Sequence, residues 1–204
     1  DSDGKRGYVD NTHTFVKDLK VVIDLVKEEN PDLPIFILGQ GIGGHIMSIL
    51  GGQYDNLVDG MVFCSPLICD FGNYTTCNSD EYDSDFDFVS TGNIHNLSHD
   101  YDFIQSYDED ELVLKEVTVG IYHALKESCS HIVEYLYKFK YPCLILHGSM
   151  DSITDCEDSR FLFNNIISKD KEIRILKGLY HKLLEELIKD DIISEITRWI
   201  EKRI

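Results

Sequence analysis

Several features are missing from this sequence of 204 residues, and each absence excludes a class of function. No apolar run approaches the length of about 20 residues that spans a membrane. No signal peptide opens the chain, so we expect a cytoplasmic protein. Basic residues are scarce, with 19 Lys and Arg against 37 Asp and Glu and a formal net charge of −18. Because this charge repels phosphates, it argues against nucleic acid partners and against electrostatic binding to membranes.

Paired cysteine motifs are also missing, since none of the six cysteines forms a C-x-x-C pair. Cys64 and Cys143 fall inside apolar runs that are typical of buried strands, which favours buried thiols in a reducing compartment over metal ligands. The acidic tract 80–111 contains no D-x-[DN]-x-[DN]-G calcium loop, and a flexible lid segment is the favoured interpretation. We therefore expect no metal and no cofactor. The remaining cysteines are Cys69, Cys77, Cys129 and Cys156.

What the sequence does contain is typical of one globular domain, with 43% hydrophobic and 11% aromatic residues and no detectable internal repeats. Apolar residues at three- and four-residue steps predict a helix at 15–26, ahead of an Asn-Pro stop. Strands separated by helices predict a mostly parallel sheet covered on both faces. The segment 70–111 interrupts this alternation, and we predict an insertion over the sheet whose first half is mobile. Strands are predicted at 33–39, 60–65, 143–147 and 172–176, and further helices at 46–50, 117–139, 158–167 and 183–199.

A Gly-rich turn, 39–44, joins the first predicted strand, buried on both faces, to a helix. Serine hydrolases place their nucleophile in such a turn as G-x-S-x-G, where the next backbone N–H faces the developing oxyanion. Here the central residue is Gly41, which has no side chain to attack a carbonyl. A phosphate-binding loop is disfavoured, because the turn lacks G-x-x-x-x-G-K-[ST] and the chain is acidic.

Two downstream residues complete the pattern of a catalytic triad. Asp151 follows one predicted strand and His181 follows the next, which is the chain order of nucleophile, acid and base in this kind of hydrolase. The alternatives are that Asp151 caps the following helix, as Asp155 or Asp158 would do equally well, and that His181 is a surface histidine. The other histidines considered lack a metal-ligand spacing and are interpreted as structural or exposed: His13, His45, His95, His99, His123 and His131. Substitute nucleophiles are disfavoured because none lies in a strained turn above the sheet: Ser48, Cys64, Ser65 and Ser149.

Five blocks of sequence resemble successive blocks of the monoacylglycerol lipase and lysophospholipase branch of the serine α/β-hydrolases. They are KRGYVD at 5–10, LPIFILG at 33–39, SPL at 65–67, LHGSMD at 146–151 and YHKLLEE at 180–186. The resemblance leaves only 70–106 unmatched. It implies an α/β-hydrolase fold with a nucleophile at position 41, Asp151 as acid and His181 as base. It also implies that the N–H of Ile42 contacts the oxyanion, and that a core made of 1–66 and 141–204 carries 67–140 as a lipid-binding cap.

Two departures from the family pattern bear on activity. The family's G-H-S-M-G-G turn here reads GQGIGG, and changes on both sides of Gly41 indicate natural drift. The family's H-G segment, whose backbone supplies the other oxyanion donor, precedes the block that matches this chain's first residues. We therefore expect the first strands of the sheet to be absent. The strand at 33–39 would then lie at an open edge, which another copy, a partner chain or local structure should cover.

The sequence thus supports three hypotheses of function. The first is a catalytically impaired protein that binds a monoacyl lipid or acyl ester beside Asp151 and His181. The second is a variant or part of an active serine ester hydrolase that acts on monoacyl glycerolipids. The third is a non-catalytic protein-interaction domain.

Overall fold

The computed structural model describes residues 3–69, 82, 84–91 and 96–204. Cys77 and His95 lie outside the described residues. So does the part of the acidic segment that was predicted to be mobile, except for residues 82 and 84–91. In chain order the elements are α1 Thr12–Glu29, β1 Phe36–Gly41, α2 Ile42–Gln53, β2 Gly60–Pro66, β3 Phe88–Ser90, α3 Tyr101–Glu109, β4 Glu116–Thr118, α4 Val119–His131, α5 Val133–Leu136, β5 Cys143–Gly148, α6 Cys156–Asn165, β6 Lys171–Leu176 and α7 Lys189–Glu201.

The main sheet of the described chain is parallel, with strand order β1-β2-β5-β6. One of its faces packs against α1, α2, α5 and α6 around a large apolar cluster. The other face packs against α7 around Trp199 and Ile196. This arrangement confirms the mostly parallel, helix-flanked sheet that the sequence predicted. The carboxyl ends of the strands all meet at one edge, so the loops that follow them converge there.

The two central strands form where the sequence is most continuously apolar. Every residue of β2 and of β5 is buried, as strands with helices on both faces require. Cys64 and Cys143 lie in these strands, and burial raises the pKa of each thiol to about 12. Both are therefore neutral, unreactive core residues.

The predicted helix at 117–139 is wrong as a single element. Val117 and Thr118 instead pair with Val89 and Phe88 in a short antiparallel ladder between β3 and β4. The Thr118 side chain then accepts the N–H of Ile121 and so starts α4. A second break falls after α4. Tertiary pairing and a threonine cap override the helical periodicity of this segment.

The predicted helix at 183–199 is also wrong in its first turns. Leu183–Glu185 forms a single 3-10 turn, and α7 begins only at Lys189. Between them Glu186 turns its buried carboxylate back to accept the N–H groups of Tyr180 and His99. Those two bonds hold Glu186 in an extended conformation that no helix could pass through.

The first strand departs from the prediction in both position and burial. It spans Phe36–Gly41 rather than 33–39, and it runs without a loop into α2, so the predicted Gly-rich turn is a single residue. Leu38 is 44% exposed, which contradicts a strand buried on both faces. The reason is its place in the sheet, because β1 pairs with β2 on one side and with no other strand among the described residues.

The acidic segment contains more order than its composition predicted. α3 forms at Tyr101–Glu109, where the side chain of Asp100 accepts the N–H of Phe103. No residue of α3 is buried, so this helix depends on its cap and on a few contacts rather than on a core. Among the described residues, no helix is both long enough and apolar enough to cross a bilayer.

We predict that the free side of β1 is covered by another copy, a partner chain or local structure. If it is another copy, the purified chain should self-associate, and Leu38→Lys should shift it towards monomer because it adds a charge to the apolar edge. Size-exclusion chromatography with light scattering measures this. Ile193→Lys on α7, at a residue of similar exposure, is the matched control and should leave the assembly unchanged. A monodisperse wild-type monomer whose β1 amides exchange freely with solvent contradicts the prediction.

Candidate active site

Gly41 occupies the sharp bend between β1 and α2. Its φ of +54° and ψ of −118° are backbone angles that residues with a side chain rarely adopt. The bend is held by the N–H of Leu67, which donates to the Gly41 carbonyl at 3.0 Å. Close packing fixes the start of α2 as well, because a Cβ on Gly44 would lie 2.6 Å from the Cβ of Pro66. These constraints aim position 41 out of the carboxyl edge of the sheet.

His181 lies directly over this bend. A Cβ built on Gly41 would lie 3.3 Å from His181 Nε2 and 3.6 Å from its Cε1. On the other side of the ring, Nδ1 is 2.8 Å from Asp151 Oδ2. The structure therefore brings together the three positions that the sequence singled out. The arrangement is that of an acid and a base aligned on a nucleophile position that carries only hydrogen.

Asp151 is held more tightly than a simple pair with His181 requires. Its Oδ1 accepts the N–H groups of Ile153 and Thr154, and its Oδ2 also accepts the Thr154 hydroxyl at 2.9 Å. A second imidazole, that of His147, approaches the same Oδ2 at 3.2 Å. With these bonds made, the carboxylate is fixed as an acceptor that can orient His181 and stabilise its protonated form.

The ionisation of Asp151 follows from this environment. Burial alone raises the pKa of Asp151, whose side chain is completely shielded from solvent. Hydrogen bonds from His147 and His181, together with the charge of His181, outweigh burial and hold the pKa of this carboxyl well below its usual range. Asp151 is thus ionised at neutral pH.

The alternative role considered for Asp151, a helix cap, belongs to a neighbour. Asp155 is the N-cap of α6, and its side chain accepts the N–H of Glu157 at 2.9 Å. Asp158 points elsewhere, with its carboxylate on the N–H groups of Ile68 and Cys69. Asp155 therefore caps α6, while the carboxylate of Asp151 contacts His147 and His181.

Ile42, the residue expected to donate to an oxyanion, is the first residue of α2. Its N–H has no acceptor within the helix, as holds for the first turn of any α-helix. The dipole of α2 adds partial positive charge at the same point. Position and field both suit a developing negative charge next to Gly41.

Gln40 is a site residue that sequence reasoning missed. Its side-chain amide donates to the His181 carbonyl at 2.9 Å, across 141 residues of chain. It thereby ties the histidine loop to the end of β1. His147 and Thr154 were missed for the same reason, since each acts through a contact that only the folded chain creates.

The substitute nucleophiles do not face His181. Ser48 donates to the Gly44 carbonyl, and Ser149 accepts the N–H of Gly178. Ser65 does adopt a strained backbone, with a φ of +45°, contrary to the expectation that none of the candidates does. Its hydroxyl is nevertheless fully buried and makes no hydrogen bond to the residues that the structure describes. Among the described residues, no serine or cysteine is paired with His181 as a nucleophile with its base.

The other histidines have structural or surface roles where they are described. His45 is buried, and burial lowers its pKa to about 4, so it is neutral while it bonds Ser128. His13 bonds the Tyr135 hydroxyl, and His99 stacks on Tyr180 with ring centroids 4.0 Å apart. No cluster of three or more potential metal ligands occurs in the described part of the chain.

A pocket of about 360 Å³ opens beside His181. Its walls are mainly apolar, and they come from both the core loops and the segment between β2 and β5. Such size and polarity suit a small ligand with a hydrocarbon portion. The lining residues are Ile42, Thr91, Leu97, Tyr107, Val113, Leu114, Val117, Ile121, Ile153, His181 and Lys182.

The chain matches a known protein family and is similar in sequence to monoglyceride lipases. The family described as Hydrolase_4, serine aminopeptidase, S33, matches residues 1–188. Monoglyceride lipase of Homo sapiens is 29% identical over 213 residues, which cover 99% of this chain and 70% of that protein. Monoglyceride lipase of Mus musculus is 28% identical over 214 residues, with 100% of this chain and 70% of that protein covered.

Solved structures agree in fold. A soluble variant of monoglyceride lipase from Saccharomyces cerevisiae, in complex with a substrate analog, superimposes with a TM-score of 0.86. The two are 22% identical, and the match covers 99% of this chain and 73% of the yeast protein. This likeness confirms the predicted α/β-hydrolase fold.

We predict that Gly41→Ala destabilises the protein. The alanine backbone would have to adopt a positive φ, and its methyl group would crowd His181. The free energy of unfolding should fall by about 1–3 kcal/mol. The melting temperature should drop by roughly 2–4 °C for each kcal/mol. Gly43→Ala is the matched control, since a Cβ there meets no atom within 4 Å and alanine favours the helix. Equal melting temperatures for the two variants contradict the strain argument.

A second prediction concerns acid stability. Because the folded-state pKa of Asp151 lies below the unfolded value of 3.8, its ionisation stabilises the fold above that pH. The contribution is lost as the pH falls through the folded-state pKa. Asp151→Asn should therefore lower the free energy of unfolding at pH 5, and the gap to wild type should narrow at pH 3. Urea unfolding at both pH values measures it, and a gap that stays constant or widens at pH 3 argues against the assignment.

Proposed function

We propose that this chain, which belongs to the family described as Hydrolase_4, serine aminopeptidase, S33, is a monoglyceride-lipase-like protein that binds an acyl lipid but forms no acyl-enzyme. Its ligand is a monoacyl lipid or an acyl ester, held beside His181. Support for the ligand class comes from the apolar pocket and from the monoglyceride lipases to which the chain is similar.

The observation that carries the proposal is the glycine beneath His181. In serine hydrolysis the hydroxyl attacks the ester carbonyl while the imidazole Nε2 takes its proton, and an acyl-enzyme forms. With Gly41 there is neither a proton for Nε2 to accept nor an oxygen to be acylated. Loss of a triad serine typically reduces turnover on the order of a millionfold.

Asp151, His181 and Ile42 are arranged in a way that suits the binding of an ester beside Gly41. Asp151 holds Nδ1 of His181, which directs Nε2 towards the bend. We assign the Ile42 N–H as the donor nearest the bound carbonyl, on the ground of its position at the start of α2. A ligand carbonyl placed here meets the Ile42 N–H as a hydrogen-bond donor, but it meets no nucleophile.

We further propose that residues 67–140 act as a cap that shapes the acyl site. Tyr107, Val113, Val117 and Ile121 supply its apolar wall opposite His181. Burying a hydrocarbon chain against this wall contributes about 25 cal/mol for each Å² of apolar surface removed from water. The cap, rather than the bend, then supplies most of the binding energy.

An active serine hydrolase that differs from this chain at position 41 is the second candidate. What favours it is the 3.3 Å separation between His181 Nε2 and a Cβ at Gly41, which leaves a serine hydroxyl within reach of the ring. Restoring the hydroxyl therefore distinguishes two cases. In one the site lacks only the serine hydroxyl, and in the other its remaining groups can no longer support hydrolysis.

We predict that the wild-type chain is not labelled by a serine-reactive fluorophosphonate probe and that Gly41→Ser is labelled. The variant should also hydrolyse a monoacyl ester such as 1-monolaurin, measured as released fatty acid. In the matched control, Gly41→Ser with His181→Gln should lose both signals because the hydroxyl then has no base. Labelling of the wild-type chain would show that another residue is the nucleophile. An inert, folded Gly41→Ser would count against a retained site.

A further inference from the structure

Lys182 brings an ammonium group to the pocket beside His181, and the proposed function leaves it without a role. Lys182 lines the pocket, and its Nζ lies 5.8 Å from the ring centroid of Tyr107, which lines the same pocket. Its backbone N–H donates to the Leu97 carbonyl at 2.7 Å, which fixes the residue against the cap. Lys182 thus sits between the histidine loop and the apolar wall.

This ammonium is partly removed from water. Among the described residues, no carboxylate lies within ion-pair distance of its Nζ. Burial lowers the pKa of Lys182, and the nearby Glu185 offsets this only in part. A partly buried cation of this kind is stabilised by an anion that enters the pocket and makes a charge-assisted hydrogen bond.

Two electropositive groups meet in this one pocket. They are the ammonium of Lys182 and the N-terminal end of α2 at Ile42. The opposite wall is hydrocarbon. A ligand that satisfies both halves has a single apolar chain that ends in a negative charge.

Resting on the proposed function, we propose that the pocket prefers single-chain lipids with an anionic head, such as a fatty acid carboxylate, and that Lys182 recognises the head. The net charge of −18 opposes any anion at long range. Salt screens that repulsion over about 8 Å at physiological ionic strength, so a cation in direct contact decides the preference. The net charge of the chain therefore predicts that cationic lipids bind more tightly than anionic ones, whereas the ammonium of Lys182 predicts the reverse.

A series of ligands with one twelve-carbon chain separates these effects. Laurate and dodecyl phosphate carry negative heads, 1-monolaurin is neutral, and dodecyltrimethylammonium is positive. Isothermal titration calorimetry at 0.15 M salt, below micelle formation, measures each affinity. Both anions should bind at least about tenfold more tightly than monolaurin, and the cation should bind most weakly. Preference for laurate alone would restrict the site to carboxylates, whereas equal binding of dodecyl phosphate would extend it to lipid phosphates.

The variants locate the effect at Lys182. Lys182→Met should lower laurate affinity to that of monolaurin without changing monolaurin binding, and Lys182→Arg should keep the preference. Lys177→Met removes a charge from an exposed lysine of the same loop and is the matched control. If wild type binds monolaurin as tightly as laurate, or if Lys182→Met keeps the preference, the role of Lys182 is overturned while acyl-lipid binding stands. If none of the four ligands binds, the proposed function fails with it.

Discussion

The passage of β1 straight into α2, with one residue at the bend, is the constraint on which the site depends. That single residue takes a positive φ so that the helix can leave the sheet at once. Leu67 holds the bend from one side, and the contact between Gly44 and Pro66 keeps α2 close to the neighbouring strand. The direction of α2, the exposure of its first N–H and the separation between position 41 and His181 all follow from this turn.

The carboxylate of Asp151 is the second organising element, and it is connected to more of the chain than a catalytic role demands. Asp151 joins His147 at the end of β5 to the loop after β6 through His181, and its Oδ1 orders the turn that leads towards α6. The acid and base are therefore aligned by contacts that do not involve position 41. The same bonds that would orient His181 for proton transfer also hold two loops together, so the pair contributes to folding in its own right.

The sequence predicted the parallel sheet and the convergence of Asp151 and His181 because both follow from local rules. Buried strands such as β2 and β5 are continuous apolar runs, and residues that follow neighbouring parallel strands meet at one edge. The failures came from contacts between distant residues. Val117 joins a strand because β3 is beside it, and helix 183–199 breaks because Glu186 bonds to His99 and Tyr180. Gln40 and Lys182 gained their positions in the same way, so no pattern along the chain could reveal them.

The glycine at the bend also bears on how such a protein changes over evolutionary time. A serine there must be held in an unfavourable backbone conformation, which costs on the order of 1–3 kcal/mol of folding free energy that catalysis alone repays. Once selection for turnover relaxes, a single replacement of serine by glycine removes that cost in folding free energy. Reversion would then sacrifice folding stability before any benefit from hydrolysis accrued. If the proposed function holds, loss of the nucleophile would therefore reinforce itself, and the neighbouring acid and base would persist through the hydrogen bonds they contribute to the fold.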